Sequence, residues 1–101
     1  MSKHRSFRGM VLIALLATSL ASCTRDPNVK KQQFLKSGNE YFAKEKHREA
    51  AIQYLNAIKV DSRYAEAHYQ LAQAYLKLQI YTGAYQELLR TVDLQPEHLK
   101  A

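Results

Sequence analysis

The thiol of Cys23 is the side chain in this sequence best placed to do chemistry, and it is the only cysteine of the chain. Leu20, Ala21 and Ser22 stand directly before it, and residues 11–20 form an apolar run of ten. A single cysteine excludes any disulfide within the chain. The residues around this thiol therefore decide what it does.

Other nucleophiles and ligands are scattered and do not form a recognisable site. Ser37, Ser62 and His68 could supply a nucleophile and a base, but no glycine-rich elbow, paired carboxylates or phosphate loop accompany them. His47, His68 and His98 lack partners at metal-ligand spacing. The sequence therefore predicts that the chain is not an enzyme and needs no cofactor apart from a covalent lipid on Cys23.

The N-terminus gives the thiol its context. Lys3, Arg5 and Arg8 precede the apolar run, and the whole segment resembles a bacterial lipoprotein signal in which Leu20, Ala21, Ser22 and Cys23 form the lipobox. The resemblance implies cleavage after residues 1–22 and acylation of Cys23. The run is shorter than the roughly 20 residues that span a bilayer as a helix, which favours an anchor over a membrane span. An ordinary cleavable secretory signal is the alternative.

Charge argues against nucleic acid as a partner. The signal would remove three of the 15 basic residues and none of the 9 acidic ones, so the net charge falls from +6 to about +3. The remaining basic residues are interleaved with acidic ones, whereas nucleic-acid binding needs them clustered on one face. We therefore expect no nucleic-acid partner.

The chain repeats itself from Lys31 onwards, with a period of about 34 residues. Apolar residues recur at three- and four-residue steps within each period, as in helices. Each period has room for two helices, which we predict at 31–44, 47–60, 65–78 and 81–94. Pro27 is expected to prevent an earlier helix, so that residues 23–30 form a tether, and Asp61 and Ser62 are expected to cap the third helix. The positions aligned by the period are Gly38 with Ala72, Tyr41 with Tyr75, Ala50 with Ala84, Leu55 with Leu89, Ile58 with Val92 and Val60 with Leu94.

This pattern resembles the tetratricopeptide repeat family, whose repeating unit is a helix-turn-helix. The resemblance implies an all-α solenoid with one unit at 31–64, a second at 65–98 and the start of a third at 99–101. Small residues allow two helices to approach closely, and large ones fill the wider gaps. The packing positions are Gly38, Tyr41, Ala50, Tyr54, Ala72, Tyr75, Ala84 and Leu88. His68 replaces a large apolar residue and Ser62 replaces the terminal proline of the family pattern.

The second unit lacks a following neighbour, although repeat units depend on neighbours to bury their faces. We expect its uncovered face to carry Leu71, Tyr75, Leu78, Leu88 and Val92. Three explanations stay open, namely a longer repeat protein, a truncated gene, and self-association through this end.

By the same resemblance, the first helix of each unit lines a concave groove that receives a protein or peptide. The predicted groove residues are Leu35, Asn39, Phe42, Tyr69, Gln70, Gln73, Leu76 and Lys77. Asn39 matches one residue of the family's carboxylate clamp, but Leu35 stands at the lysine position, which argues against that clamp. The alternative for Leu35 and Tyr69 is packing against neighbouring helices.

These features predict a scaffold that holds partner proteins at the bacterial cell envelope, facing the periplasm. Thr24 after Cys23 favours the outer membrane, by analogy with lipoprotein sorting in enterobacteria. Residues 23–32, 37–42 and 67–72 are similar to long tetratricopeptide lipoproteins associated with exosortase (PEP-CTERM) sorting and exopolysaccharide export. The alternatives are a structural envelope lipoprotein or a repeat fragment without binding activity of its own.

Overall fold

The computed structural model describes residues 26–95, which form four α-helices. Cys23, Leu20, Ala21, Ser22 and the segments 1–22 and 99–101 lie outside the described residues, so the predictions for them stay predictions. The helices are α1 (Pro27–Ala43), α2 (His47–Val60), α3 (Ala65–Lys77) and α4 (Tyr81–Leu94). No strand occurs among residues 26–95. The predicted all-α helical-repeat fold is confirmed, and each observed helix lies close to its predicted position.

The first helix begins earlier than predicted, at Pro27 and not at Lys31. Pro27 occupies its first turn, where the missing N–H has no intrahelical partner in any case. Asp26 is the N-cap, and its Oδ1 accepts a hydrogen bond of 2.9 Å from the backbone N–H of Asn28. The prediction that Pro27 delays the helix is therefore wrong, because Pro27 and Asp26 together start it.

Each helix pair is closed by the same tight turn. Glu45 and Gln79 stand one repeat period apart and adopt positive φ angles of 60° and 63°. The backbone N–H of Lys46 donates to Tyr41 O at 2.9 Å, and that of Ile80 donates to Tyr75 O at 2.8 Å. These bonds satisfy carbonyls at the end of the preceding helix, as in a Schellman motif. The repeat is thus present in the backbone as well as in the sequence.

The connection between α2 and α3 differs from its prediction. Tyr64 is the N-cap of α3 and makes no side-chain capping bond. Asp61 instead ends α2, and its Oδ1 accepts a hydrogen bond from the backbone N–H of Arg63 at 3.0 Å. The expectation that Asp61 and Ser62 cap α3 is wrong, because the carboxylate of Asp61 is used within the turn.

The helices pack in chain order, α1 against α2, α2 against α3 and α3 against α4, and α1 also touches α3. Small residues line these contacts. Gly38 is buried where α1 meets Tyr54, and Tyr54 and Leu71 are the large apolar side chains with no exposed surface. The buried apolar residues are Ala50, Ala51, Tyr54, Ala57, Ala65, Ala67, Leu71, Ala72, Ala74 and Ala84.

The predicted uncovered face is only partly right. Leu71 is fully buried because it packs with Ala74 against Ala51 and Tyr54 of α2. Tyr75, Leu78 and Leu88 are half-buried, and Val92 is exposed as expected. The prediction failed because it placed the side of α3 that carries Leu71 in solvent, whereas this side packs against α2. None of the helices among residues 26–95 has both the length and the apolar character required to cross a bilayer.

Candidate functional site

The predicted groove residues occupy the same positions on α1 and α3. Leu35, Asn39 and Phe42 lie on α1, and Tyr69, Gln73 and Leu76 follow them one repeat period later on α3. Because α1 and α3 are the first helices of two successive repeat units, equivalent residues stand side by side and the three pairs form rows across the two helices. We call these six residues the shared face. Gln70 and Lys77 extend it on α3, where Gln70 is half-buried and Lys77 is exposed.

The apolar residues of the first helix stabilise the fold as well as lining this face. Leu35 and Phe42 are half-buried and pack against the core residues of α2 and α3. The Phe42 ring also meets the ring of His47 edge-on, with centroids 4.7 Å apart. Their exposed edges are therefore held in fixed positions, and the packing alternative for Leu35 describes part of its role.

Asn39 is oriented by a hydrogen bond from the core. The hydroxyl of Tyr54 donates to Asn39 Oδ1 at 2.8 Å. Burial, with the charge of Glu66 as a smaller cause, raises the pKa of Tyr54 to about 12, so the phenol stays protonated and remains a donor at neutral pH. Asn39 is exposed, and with its oxygen occupied its amide NH₂ is the group left to bind a partner. An exposed, oriented donor of this kind suits a backbone carbonyl of a bound peptide.

The second unit contributes a more open surface. Leu76 is 41% exposed, and Gln73 is half-exposed. Gln70 donates to Glu66 Oε1 at 3.2 Å, which links two successive turns of α3. Tyr69 is half-buried. This half of the shared face combines an accessible apolar side chain with an amide.

The positions predicted to hold the helices together are separate from the shared face. Tyr41 and Tyr75 pack against the core cluster from its edge, and Leu88 is half-buried. The remaining predicted packing residues have little or no exposed surface; these are Gly38, Ala50, Tyr54, Ala72 and Ala84. Tyr54 connects the two sets through its bond to Asn39.

His68 makes a buried polar contact that the sequence did not indicate. Its Nδ1 lies 2.6 Å from Glu87 Oε2 on α4, and its Nε2 lies 2.9 Å from the backbone oxygen of Ser62. A carbonyl oxygen can only accept, so Nε2 donates to it. Ser62 meets the ring through its carbonyl and not its hydroxyl. This geometry gives His68 a packing role between α3 and α4 in place of a base beside a serine.

An ion pair joins the start of α1 to the turn after α2. Lys31 Nζ lies 2.7 Å from Asp61 Oδ2 and 4.7 Å from the centre of the Tyr64 ring. The hydrogen bond from Lys31 and that from the Arg63 backbone lower the pKa of Asp61. The carboxylate is thus charged at neutral pH and connects elements far apart in sequence.

One hollow lies on α1 apart from the shared face. Ser37, Glu40, Tyr41 and Lys44 line a shallow hollow of about 150 Å³ on the outer side of α1. Within residues 26–95 no three His, Cys, Asp or Glu side chains come together as a metal site.

Comparison with known families gives one match. A model of the TPR repeat matches residues 38–79, from the middle of α1 to just beyond the end of α3. No curated protein matches the chain. The match supports a TPR protein, and it agrees with the repeated helix pairs and turns described above. TPR repeats are in general non-catalytic modules for protein–protein interaction.

Proposed function

We propose that this chain is a membrane-anchored scaffold that holds a partner protein at the bacterial cell envelope through the shared face. The observation that carries the proposal is the alignment of three residue pairs across α1 and α3, with apolar rows on either side of an amide row of Asn39 and Gln73. An extended or helical peptide laid across both helices would meet apolar contacts at the outer rows and hydrogen-bonding groups at the central row.

Binding at this face needs no bond to be made or broken. Leu35 and Phe42 are held by the core and lose little freedom on binding, which lowers the entropic cost of association. The oriented amide of Asn39 supplies direction, because its NH₂ group donates to a peptide carbonyl only in one geometry. Gln73 supplies a second amide one repeat further along.

The anchor in this proposal is acylation of Cys23. Each buried CH₂ of an acyl chain contributes about 0.8 kcal/mol of membrane affinity, so two or more chains suffice to hold the domain. Confinement at a surface raises the local concentration of whatever the shared face binds. The anchor and the shared face therefore act together, and each can be tested alone.

Capture of a partner tests the shared face. Gln73→Ala and Leu76→Ala remove an amide and an exposed apolar side chain without touching a buried one, and Ile52→Ala is the matched control on α2, where Ile52 is 55% exposed. The native chain with an affinity tag should retain a defined protein from envelope fractions, and the first two variants should lose it. Equal retention by all three variants with unchanged thermal unfolding would contradict the proposal and favour a purely structural envelope lipoprotein.

Intact mass tests the anchor. The protein taken from a membrane fraction should have the mass of a chain beginning at Cys23 plus a diacylglycerol and an acyl chain, and Cys23→Ser should release it from that fraction. An unlipidated product would exclude the anchor and leave an ordinary secretory signal. A lipidated mass greater than that of residues 23–101 would identify the sequence as part of a longer repeat protein.

The finer location and pathway belong to the same proposal. Thr24 favours the outer membrane, and Thr24→Asp should redirect the lipoprotein to the inner membrane if the sorting rule of enterobacteria applies. If the protein serves exosortase-linked export of a surface polysaccharide, deletion of its gene should lower the amount of exported polymer. An unchanged amount would exclude that pathway and leave the scaffold role in place.

A further inference from the structure

The second helix turns a mixed apolar and basic stripe to solvent. Arg48, Ile52, Leu55 and Lys59 are spaced by four, three and four positions, so they share one side of α2. All four are exposed, with Ile52 at 55% and Leu55 at 39%. We call these four residues the outer stripe. It places two accessible apolar side chains between two cations.

The outer stripe faces away from the rest of the fold. Ala51 and Tyr54 of α2 are buried in one cluster with Leu71 of α3, and the Tyr54 ring also meets Gly38 of α1. The other side of α2 is therefore the one that packs on α1 and α3. These two helices carry the shared face, so a surface that covers the outer stripe need not cover the shared face.

The second unit lacks this combination of residues. The equivalent positions of α4, one repeat period later, are also exposed and carry Thr82, Gln86, Leu89 and Asp93. Neither cation is kept, and the place of Ile52 is taken by an amide. Packing of the repeat does not account for the difference, because these positions are exposed in both units. The outer stripe is thus a property of the first unit and not of the repeat.

The two cations of the outer stripe are available to an anion. Within the part of the chain that the structure describes, the ion pairs are made by other residues. Glu49 is also exposed on α2, but one residue turns the helix by about 100°, so Glu49 lies at the edge of the stripe beside Arg48. Cations next to exposed apolar side chains suit a membrane interface, where the apolar groups enter the headgroup boundary and the cations meet anionic lipids.

The outer stripe begins at the end of the fold that is nearest to the tether. Lys31 Nζ lies 2.7 Å from Asp61 Oδ2, which places the end of α2 that carries Lys59 beside the start of α1. Pro27, the first residue of α1, follows Cys23 by four positions. A lipid on Cys23 would therefore hold one end of the stripe close to the headgroups, and the local concentration that results makes weak contacts sufficient.

We propose that the outer stripe lies on an anionic membrane surface, with Ile52 and Leu55 among the headgroups and Arg48 and Lys59 on lipid phosphates. The stripe is about 16 Å long, so α2 lies along the surface. The inference rests on the proposed anchor for proximity to the membrane and adds the orientation of the domain. In this orientation α2 faces the lipid, and α1 and α3 present the shared face to partners.

A single tryptophan tests the contact, because the chain contains none. Ile52→Trp places this side chain within the outer stripe, and Gln86→Trp places it at the equivalent exposed position of α4. On phosphatidylglycerol vesicles with brominated acyl chains, the emission of Ile52→Trp should shift to shorter wavelength and be quenched. The emission of Gln86→Trp should stay that of a tryptophan in water. Quenching at position 52 that is equal to or weaker than that at position 86 would overturn the proposal.

This experiment does not depend on how the chain is attached to the vesicle. The full chain is held by its own lipid or, where intact mass shows a free thiol, by a maleimide lipid coupled to Cys23, the only cysteine of the chain. A free thiol would contradict the proposed anchor, whereas the two tryptophan variants would still decide whether the outer stripe lies on lipid.

Removal of charge tests the kind of surface. In the Ile52→Trp chain, Arg48→Gln with Lys59→Gln should lower the ratio of bound to free stripe by about fivefold for each charge removed. Lys36→Gln with Arg90→Gln removes two exposed cations elsewhere and should leave the quenching unchanged. Equal effects of the two pairs, or undiminished quenching on phosphatidylcholine vesicles, would overturn the assignment of an anionic surface.

Discussion

Residues 27–60 and residues 65–94 form two helix pairs with the same turns and with small residues at equivalent helix contacts (Gly38 and Ala72, Ala50 and Ala84), yet their large residues are buried to different degrees. Tyr54 fills the first pair, and its counterpart Leu88 is half-buried in the second. Phe34 and Gln53 of the first pair correspond to His68 and Glu87 of the second, which form a hydrogen-bonded contact. The comparison teaches that the repeat fixes the backbone and the close approaches, while neighbours decide which large residues are buried.

The largest difference between the pairs is expected at the position shared by Tyr54 and Leu88. Tyr54→Ala removes a fully buried ring and should lower the free energy of unfolding by about 3–5 kcal/mol. Leu88→Ala removes a half-buried side chain and should cost about 1–2 kcal/mol. Denaturant unfolding of the two variants measures both values, and equal losses would contradict the comparison.

The glycines give the next largest contrast. A Cβ on Gly38 would overlap the buried Tyr54 ring, lying 2.6 Å from Cδ1. Gly38→Ala should therefore destabilise the chain by about 1–3 kcal/mol, as measured by denaturant unfolding.

Gly83→Ala is the comparison variant in the second pair, where Gly83 is the glycine of α4 and does not stand at the position equivalent to Gly38, which is Ala72. A Cβ on Gly83 would lie 3.0 Å from Tyr75 Cδ2 and 3.1 Å from Ile80 Cγ2, and Ile80 is exposed and can move. The helix-propensity gain of about 1 kcal/mol offsets this crowding, so the thermal midpoint should change little. A larger loss for Gly83→Ala than for Gly38→Ala would reverse the assignment of the tighter approach.

Exchanging residues between the two helix pairs tests the contact between His68 and Glu87. Glu87→Gln replaces the carboxylate that meets His68 Nδ1 and should lower the free energy of unfolding by about 1–2 kcal/mol. The double variant His68→Phe with Glu87→Gln copies Phe34 and Gln53, and it should restore stability to within about 1 kcal/mol of the native chain, since apolar replacements of buried polar pairs are often neutral. A double-mutant cycle supplies the coupling between the two positions. Purely additive losses would show that the contact does not act as a pair.

The smallest effect is expected at Lys31 and Asp61, whose counterparts Ala65 and Gln95 cannot form an ion pair. The pKa of Asp61 is lowered in the folded chain, so its contribution is present above the unfolded value near 3.9 and is lost as the pH falls through the folded value. Lys31→Met should lower the free energy of unfolding by about 0.2–1 kcal/mol at neutral pH. It should also reduce the loss of this free energy as the pH falls. An identical pH profile of stability for both chains would show that the pair contributes nothing.

The sequence predicted the helices well because a regular repeat period constrains both ends of each pair. It located the small residues Gly38, Ala50, Ala72 and Ala84, which are buried at the helix contacts, and the groove residues Leu35, Asn39 and Phe42 stay a prediction. The residue types did not indicate the positive φ angles of Glu45 and Gln79, since neither residue is the glycine or asparagine usual at that position. Periodicity indicates that a helix has an apolar side, but the direction of Leu71 depended on how α3 is rotated against α2.

Contacts between different helices were the hardest part to foresee. His68 bonds to Glu87 on the next helix, and the hydroxyl of Tyr54 reaches Asn39 on the preceding one. Both depend on the rotation and spacing of two helices, which composition does not determine. One clue to the first contact was present in the sequence. His68 stands where the repeat pattern has an apolar residue, and Glu87 is an acidic residue at the position that Gln53 occupies in the first unit.

The early start of α1 sets how far the folded part can stand from a lipid on Cys23. Four Cα-to-Cα steps separate Cys23 from Pro27, and a chain extends by at most about 3.6 Å per residue, which gives about 14 Å. With the proposed acylation, the base of α1 would remain within the depth of the headgroups and the first layers of water above them. A partner of the shared face would then be captured close to the surface of that membrane.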